Sequence, residues 1–198
     1  MPAMADQLDN DGICVRDRLL NAAEKVVTRD GVSNLTLEAV AKEAGMSKGG
    51  LLYHFSSKSK LIIAIVDRLA CRCDADHARE ISGDTVAPGA FSRAYIQART
   101  KPMDPCEEPI HSALLAAAAT DREYLKPISD RIVAWQQRLE NDGIDPITAT
   151  IIRLAIDGMG LSKLLGLPLP DEELSRRVVG RLLEMSQMKE AAAETGKE

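Results

Sequence analysis

Apolar residues return every three or four positions along nearly the whole chain, and nowhere do β-branched residues alternate with polar ones as a half-buried strand requires. A period of 3.6 places those side chains on one helix face. The chain must therefore bury a stripe from each helix, and the spacing predicts an all-α fold of about nine helices. Breakers divide them. Asp30-Gly31 stops a first helix over 15–29, and Thr36 caps a second over 37–44. Gly45 ends that one, Ser47 caps a third over 48–54, and Ser56-Ser57 opens a long fourth over 58–79. Beyond a loop at 82–88, further helices are expected up to Thr100 and over 107–119, 122–141, 146–165 and 171–188.

Composition narrows the class. With 45% hydrophobic and 28% charged residues over 198 positions, the chain can bury its own core, and its 3% aromatic share fits helices better than sheets. No apolar run approaches the ~20 residues needed to span a bilayer, and Met1 to Asn10 lacks the basic and apolar regions of a signal peptide, so a cytoplasmic location with no membrane partner is expected. Cys14, Cys71, Cys73 and Cys106 show no C-x-x-C spacing, and the pair Cys71-x-Cys73 would point about 200° apart on a helix. We expect reduced thiols, no metal and no cofactor.

Charge is uneven. The net value is −5, yet residues 1–60 hold eight basic and eight acidic groups, against seventeen basic and twenty-two acidic in the remainder. No acidic residue lies between Ala44 and Val66, where Lys48, Lys58 and Lys60 fall among Ser, Tyr and His donors. That window forms a local cationic, hydroxyl-rich surface.

Within it, 37–54 reads as a helix-turn-helix. Two short helices crossing steeply need a small residue where they approach, supplied by Ala41, and Gly45 can take the positive φ of the turn. Met46 and Leu51 close the groove against Val40, and Phe55 is assigned to the core. Lys48, Gly49, Gly50 and Tyr53 are left facing outward on the helix that enters the major groove in this motif. Ser47 and Thr36 offer hydroxyls and helix N-terminal amides to phosphates, Lys58 opens the fourth helix where an anion is favoured, and Lys48 can reach guanine O6 and N7. Gly49 and Gly50 would let backbone approach DNA, and His54 closes the set. Thr36 and Ser47 would serve as caps in either case.

The succession Ala22-Ala23, Gly31, Leu35-Thr36, Val40-Ala41, Ala44-Gly45-Met46-Ser47-Lys48-Gly49, Tyr53-His54-Phe55 and Ser57-Lys58-x-x-Leu61 resembles the DNA-binding domain of the TetR (tetracycline-repressor) family, in a branch that carries Gly-Leu-Leu-Tyr-His-Phe. Many relatives place a phosphate-contacting tyrosine where this chain has Leu52; here it stands one position later, at Tyr53. The resemblance implies a DNA-binding domain over 14–60 and a ligand-binding and dimerisation domain over 61–188, flanked by a disordered segment at 1–13 and a frayed tail at 189–198. It also implies a homodimer that binds palindromic operator DNA and is released by a small-molecule effector. Control by a protein partner, and activation instead of repression, stay open.

The resemblance further implies a dimer interface on the last two helices, here Ile151, Leu154, Gly158, Leu161, Val178 and Leu182. It implies an effector pocket lined by the domain's few large side chains, Phe91, Tyr95, Met103, His111, Tyr124 and Trp135. Glu107 and Glu108 would favour a cationic ligand. No enzyme is expected: there is no phosphate loop after a strand, no metal cluster, no nucleophile beside a base, and His54, His77 and His111 lie far apart in sequence.

Overall fold

The computed structural model describes residues 14–86, 88–102, 107–119 and 121–187. The expected segments at 1–13 and 189–198, and the candidate Met103, lie outside them. Among the described residues the chain forms nine α-helices and no sheet. They are α1 (Val15–Asp30), α2 (Leu37–Glu43), α3 (Lys48–His54), α4 (Lys58–Gly83), α5 (Ala90–Thr100), α6 (Glu108–Ala118), α7 (Lys126–Glu140), α8 (Pro146–Leu164) and α9 (Glu172–Met185), with 3₁₀ turns at Val32–Asn34 and Arg122–Leu125.

Two differences from the sequence reading have local causes. A helix expected over 122–141 begins instead at Lys126, after a 3₁₀ turn capped by Asp121, whose carboxylate accepts from Glu123 N at 3.0 Å. Pro127 decides this, because proline lacks an N–H and is accommodated only in a helix's first turn. Helix α4 runs on past Arg79 to Gly83, since no breaker intervenes.

The chain divides into two compact units, each drawn from two stretches: Met1–Ala70 with Met103–Ile128, and Cys71–Pro102 with Ser129–Glu198. The division falls inside α4, and α6 joins the first unit, which is thus larger than the 14–60 segment. Its core packs Leu19, Leu20, Ala23 and Val26 of α1 against Val40, Leu51, Phe55, Leu61 and Ile65, with Ile110 and Leu114 added from α6.

The second unit is fastened around the start of α5. Asp142 accepts from Phe91 N at 2.9 Å and Ser92 N at 2.7 Å, taking up amides that a helix start leaves unpaired. Buried Arg93 pairs with Asp84 and donates to the carbonyls of Pro88 and Ser186. Gly89 supplies the entry to α5 at φ +85°, and a Cβ there would lie 1.9 Å from Ser186 O.

Candidate functional site

In the first unit, both caps form as the sequence requires. Thr36 Oγ1 accepts from Ala39 N at 3.1 Å, and Ser47 Oγ accepts from Gly50 N at 3.1 Å. Between them Gly45 turns the chain at φ +65°, and Met46 N donates to Ala41 O at 2.8 Å. Leu51 and Phe55 anchor α3 from below, both buried. Its other face is open: Lys48, Gly49, Leu52 and Tyr53 are exposed, Tyr53 at 73%. Tyr53 meets half-buried His54 edge to face at 5.1 Å.

The two glycines of α3 differ. A Cβ on Gly50 would press on Met46 Cε at 3.3 Å and Ser47 Oγ at 3.4 Å, whereas one on Gly49 would meet nothing nearer than 4.0 Å. Internal packing thus constrains Gly50, and it leaves Gly49 free of any such constraint.

The lysines are engaged within the protein. Lys48 Nζ pairs with Glu38 on α2, which holds that carboxyl below its usual range. Lys58 Nζ donates to the carbonyls of Val32 at 3.2 Å and Ser33 at 3.4 Å, so its ammonium clamps α4 to the 3₁₀ turn instead of standing free at the helix start. Leu52, not among the expected contacts, is 39% exposed and offers a bare apolar contact beside Tyr53.

In the second unit three of the expected ligand-lining residues converge on one that was not expected. Phe91, Tyr95 and Trp135 surround His77, with ring centroids at 5.5, 5.0 and 5.0 Å from the imidazole. All four are buried. Tyr95 Oη donates to Asp157 at 2.6 Å, and Trp135 Nε1 donates to Asp74 at 2.6 Å. Burial pushes the Tyr95 phenol up and the His77 imidazole down to about 4. The guanidinium of Arg99 lies 5.3 Å from the centroids of both Tyr95 and Trp135, and that of Arg138 lies 3.9 Å from Phe91.

The other expected lining residues that are described belong to the first unit and not to this cluster. His111 sits half-buried on α6, and Tyr124 shares a hydrogen bond with Ser59 at 3.3 Å while packing on the first unit's core. Glu107 and Glu108 also fall in that unit. One signal for His77 was present: it continues the α4 stripe of Leu69 and Cys73 at steps of four. Its polar neighbours Asp74 and Asp76 masked it.

Helix α8 carries two apolar faces. Ala149, Ile152 and Ile156 point inward, whereas Ile147, Ile151, Leu154, Gly158, Leu161 and Leu165 are exposed at alternating steps of four and three. Such a row is the seam a helix presents to a partner helix. Among the expected interface residues, Ile151, Leu154, Gly158 and Leu161 lie on this row, and a Cβ at Gly158 would meet nothing. Val178 is half-buried on α9. Leu182 departs from expectation: it is 5% exposed and fills its own unit's core, being the stripe position of α9 that turns inward.

Among the described residues no group of three or more His, Cys, Asp or Glu could hold a metal ion, and no helix is long and apolar enough to cross a membrane.

Comparison with known proteins matches residues 19–65 to the family described as bacterial regulatory proteins, tetR family, and residues 89–187 to the tetracyclin repressor-like C-terminal domain. The HTH-type transcriptional regulator UidR of Escherichia coli K12 is 35% identical over 63 residues, 32% of each chain, so the chain matches about a third of that relative's length. A transcriptional regulator of Rhodococcus sp. Rha1 shares the fold at TM-score 0.68 and 21% identity, over 89% of this chain and 98% of the other. The multidrug binding protein EbrR in complex with ethidium is 27% identical at TM-score 0.59, over 85% of this chain and 98% of its own.

Proposed function

The chain belongs to the tetR family of bacterial regulatory proteins, and on that premise we propose that it is a transcriptional repressor, not an enzyme, that grips palindromic operator DNA as a homodimer and lets go when a small molecule binds its second unit. The observation that carries this reading is α3 itself. A seven-residue helix is fixed at both ends and from beneath, by Ser47, Leu51 and Phe55, yet its outer face stays exposed, and the one ion pair on it, Lys48 with Glu38, is itself at the surface.

In this reading α3 enters the major groove with its first turn against base edges. Lys48 exchanges Glu38 for guanine acceptors, Leu52 can meet a thymine methyl, and Gly49 lets the backbone approach. Tyr53, with His54 beside it, reaches the phosphates, as do the amides at the starts of α2 and α3 beside Thr36 and Ser47. Gly50 keeps α3 tight on Met46. Lys58 acts by holding α4 in place. The α8 row supplies the pairing surface, joined by Val178, and the cluster of Phe91, Tyr95 and Trp135 supplies the effector site. EbrR, a multidrug binding protein crystallised with ethidium, is consistent with a ligand-binding unit of this shape.

Selection of bound duplexes from a random pool tests the reading, followed by a small-molecule screen for release of the best duplex. A two-fold symmetric motif is expected, with half-sites one helical turn, about 34–36 Å, apart. A pool that enriches no motif at moderate salt overturns it.

A further inference from the structure

His77 is fully buried, and neither ring nitrogen has a hydrogen-bond partner among the described residues. An orphaned imidazole in an apolar box is costly, and native cores rarely keep one without a use. The polar groups around it are already committed. Asp157 takes Tyr95 Oη and Arg153, the latter at 3.1 Å, while Asp74 takes Trp135 Nε1 and Arg131, the latter at 2.8 Å.

Two cations over the same box are not committed. Among the described residues the side chains of Arg99 and Arg138 form neither a hydrogen bond nor an ion pair; their guanidiniums lie on the faces of Tyr95, Trp135 and Phe91. Stacking of a solvent-exposed guanidinium on a ring is worth about 0.5–1 kcal/mol, less than it gains from a carboxylate held by charge-assisted hydrogen bonds. With nearby acids paired and two guanidiniums unpaired, the cluster carries an unanswered positive charge beside an apolar wall.

Building on the effector site proposed above, we infer that it takes an aromatic carboxylate: the ring against Phe91, Tyr95 and Trp135, the carboxylate on Arg99 and Arg138. The guanidiniums leave the ring faces to meet the anion, and the ligand's ring occupies the faces they uncover. Because the three rings enclose His77, a hydrogen-bonding substituent would reach its vacant nitrogens only as the rings part around the ligand. This sets the site apart from one for cationic dyes, which would be repelled by both arginines.

The test uses the full chain without DNA and three probes with one ring and three charges: benzoate, benzamide and benzamidine, at constant ionic strength, with proflavin as a cationic dye. Trp135 is the chain's one tryptophan, so its emission reports on the site, and calorimetry gives the affinities. Benzoate is expected to shift Trp135 emission saturably and to bind at least about ten-fold more tightly than benzamide or benzamidine, a gap of about 1.4 kcal/mol. Arg99→Gln and Arg138→Gln should each weaken benzoate about ten-fold and leave benzamide unchanged. Both side chains are exposed, and unchanged thermal melts will show that the variants fold. Benzamidine or proflavin binding more tightly than benzoate, benzoate failing to saturate at concentrations on the order of 20 mM, or both variants binding benzoate normally would overturn the assignment. Operator binding measured on the same preparation judges the regulator reading separately.

Discussion

At the scale of residues, the ion pair between Lys48 and Glu38 places the proposed base reader against its own protein. Both side chains are exposed, so the pair is worth little, about 0.2–1 kcal/mol, and DNA can break it. Glu38→Gln frees the ammonium and removes a negative charge from the approach surface. Operator affinity by fluorescence anisotropy should rise about two- to five-fold at low salt, in keeping with a pair of that strength. Unchanged or weaker affinity would mean that Lys48 does not face the DNA.

His77 makes a second prediction at this scale. Burial chiefly lowers its affinity for a proton; Arg99 and Arg138 add to that, and Asp74 and Asp76 oppose it. Unfolded histidine protonates near 6.5, whereas the folded one stays neutral down to about 4. The unfolded chain thus holds the extra proton across that window, and His77's share of stability is full above pH 6.5 and lost toward pH 4, amounting to about 3 kcal/mol. Against wild type, His77→Leu should flatten urea-unfolding stability between those pH values. An identical acid limb in both proteins would place His77 in contact with water. The sequence made Thr36, Ser47 and Gly45 legible because cap and turn chemistry is local. It left His77, Arg99 and Arg138 unmarked because their roles arise from three helices meeting.

At the scale of elements, short helices with side-chain caps were readable almost to the residue, as α3 shows at Lys48–His54. Longer ones depended on breakers. Pro127 moved the start of α7, and the absence of a breaker let α4 continue to Gly83. The start of α5 is the element most sensitive to a single methyl, because Gly89 combines a left-handed φ with Ser186 O in the space a Cβ would need. Gly89→Ala should cost more than about 3 kcal/mol, read as a lower urea midpoint, since strain and a backbone clash combine. A loss under about 1 kcal/mol, the size of an ordinary surface change, would show that α9 yields there.

At the scale of the whole molecule, the proposed grip on a palindrome requires two copies to meet along α8. The outward row of α8 was legible before the fold was known, at Ile151, Leu154, Gly158 and Leu161. The inward turn of α9 was not, and Leu182 shows the cost of judging by residue type alone. Leu154→Glu places a charge in the middle of the exposed row without touching the inward face of Ile152 and Ile156. Sedimentation should show wild-type dimers and a variant shifted to monomer, with helicity retained by circular dichroism. Dimers that persist in the variant would move the interface elsewhere.

The claim beneath all of this is that α3 of each subunit lies in its own major groove, one turn from its twin. Hydroxyl-radical footprinting of the full chain on its selected duplex tests it most directly. Two protected patches related by a dyad are expected, about 10–10.5 base pairs between centres, both fading in Tyr53→Ala and in Leu154→Glu. A single patch, or two patches indifferent to those substitutions, would contradict it.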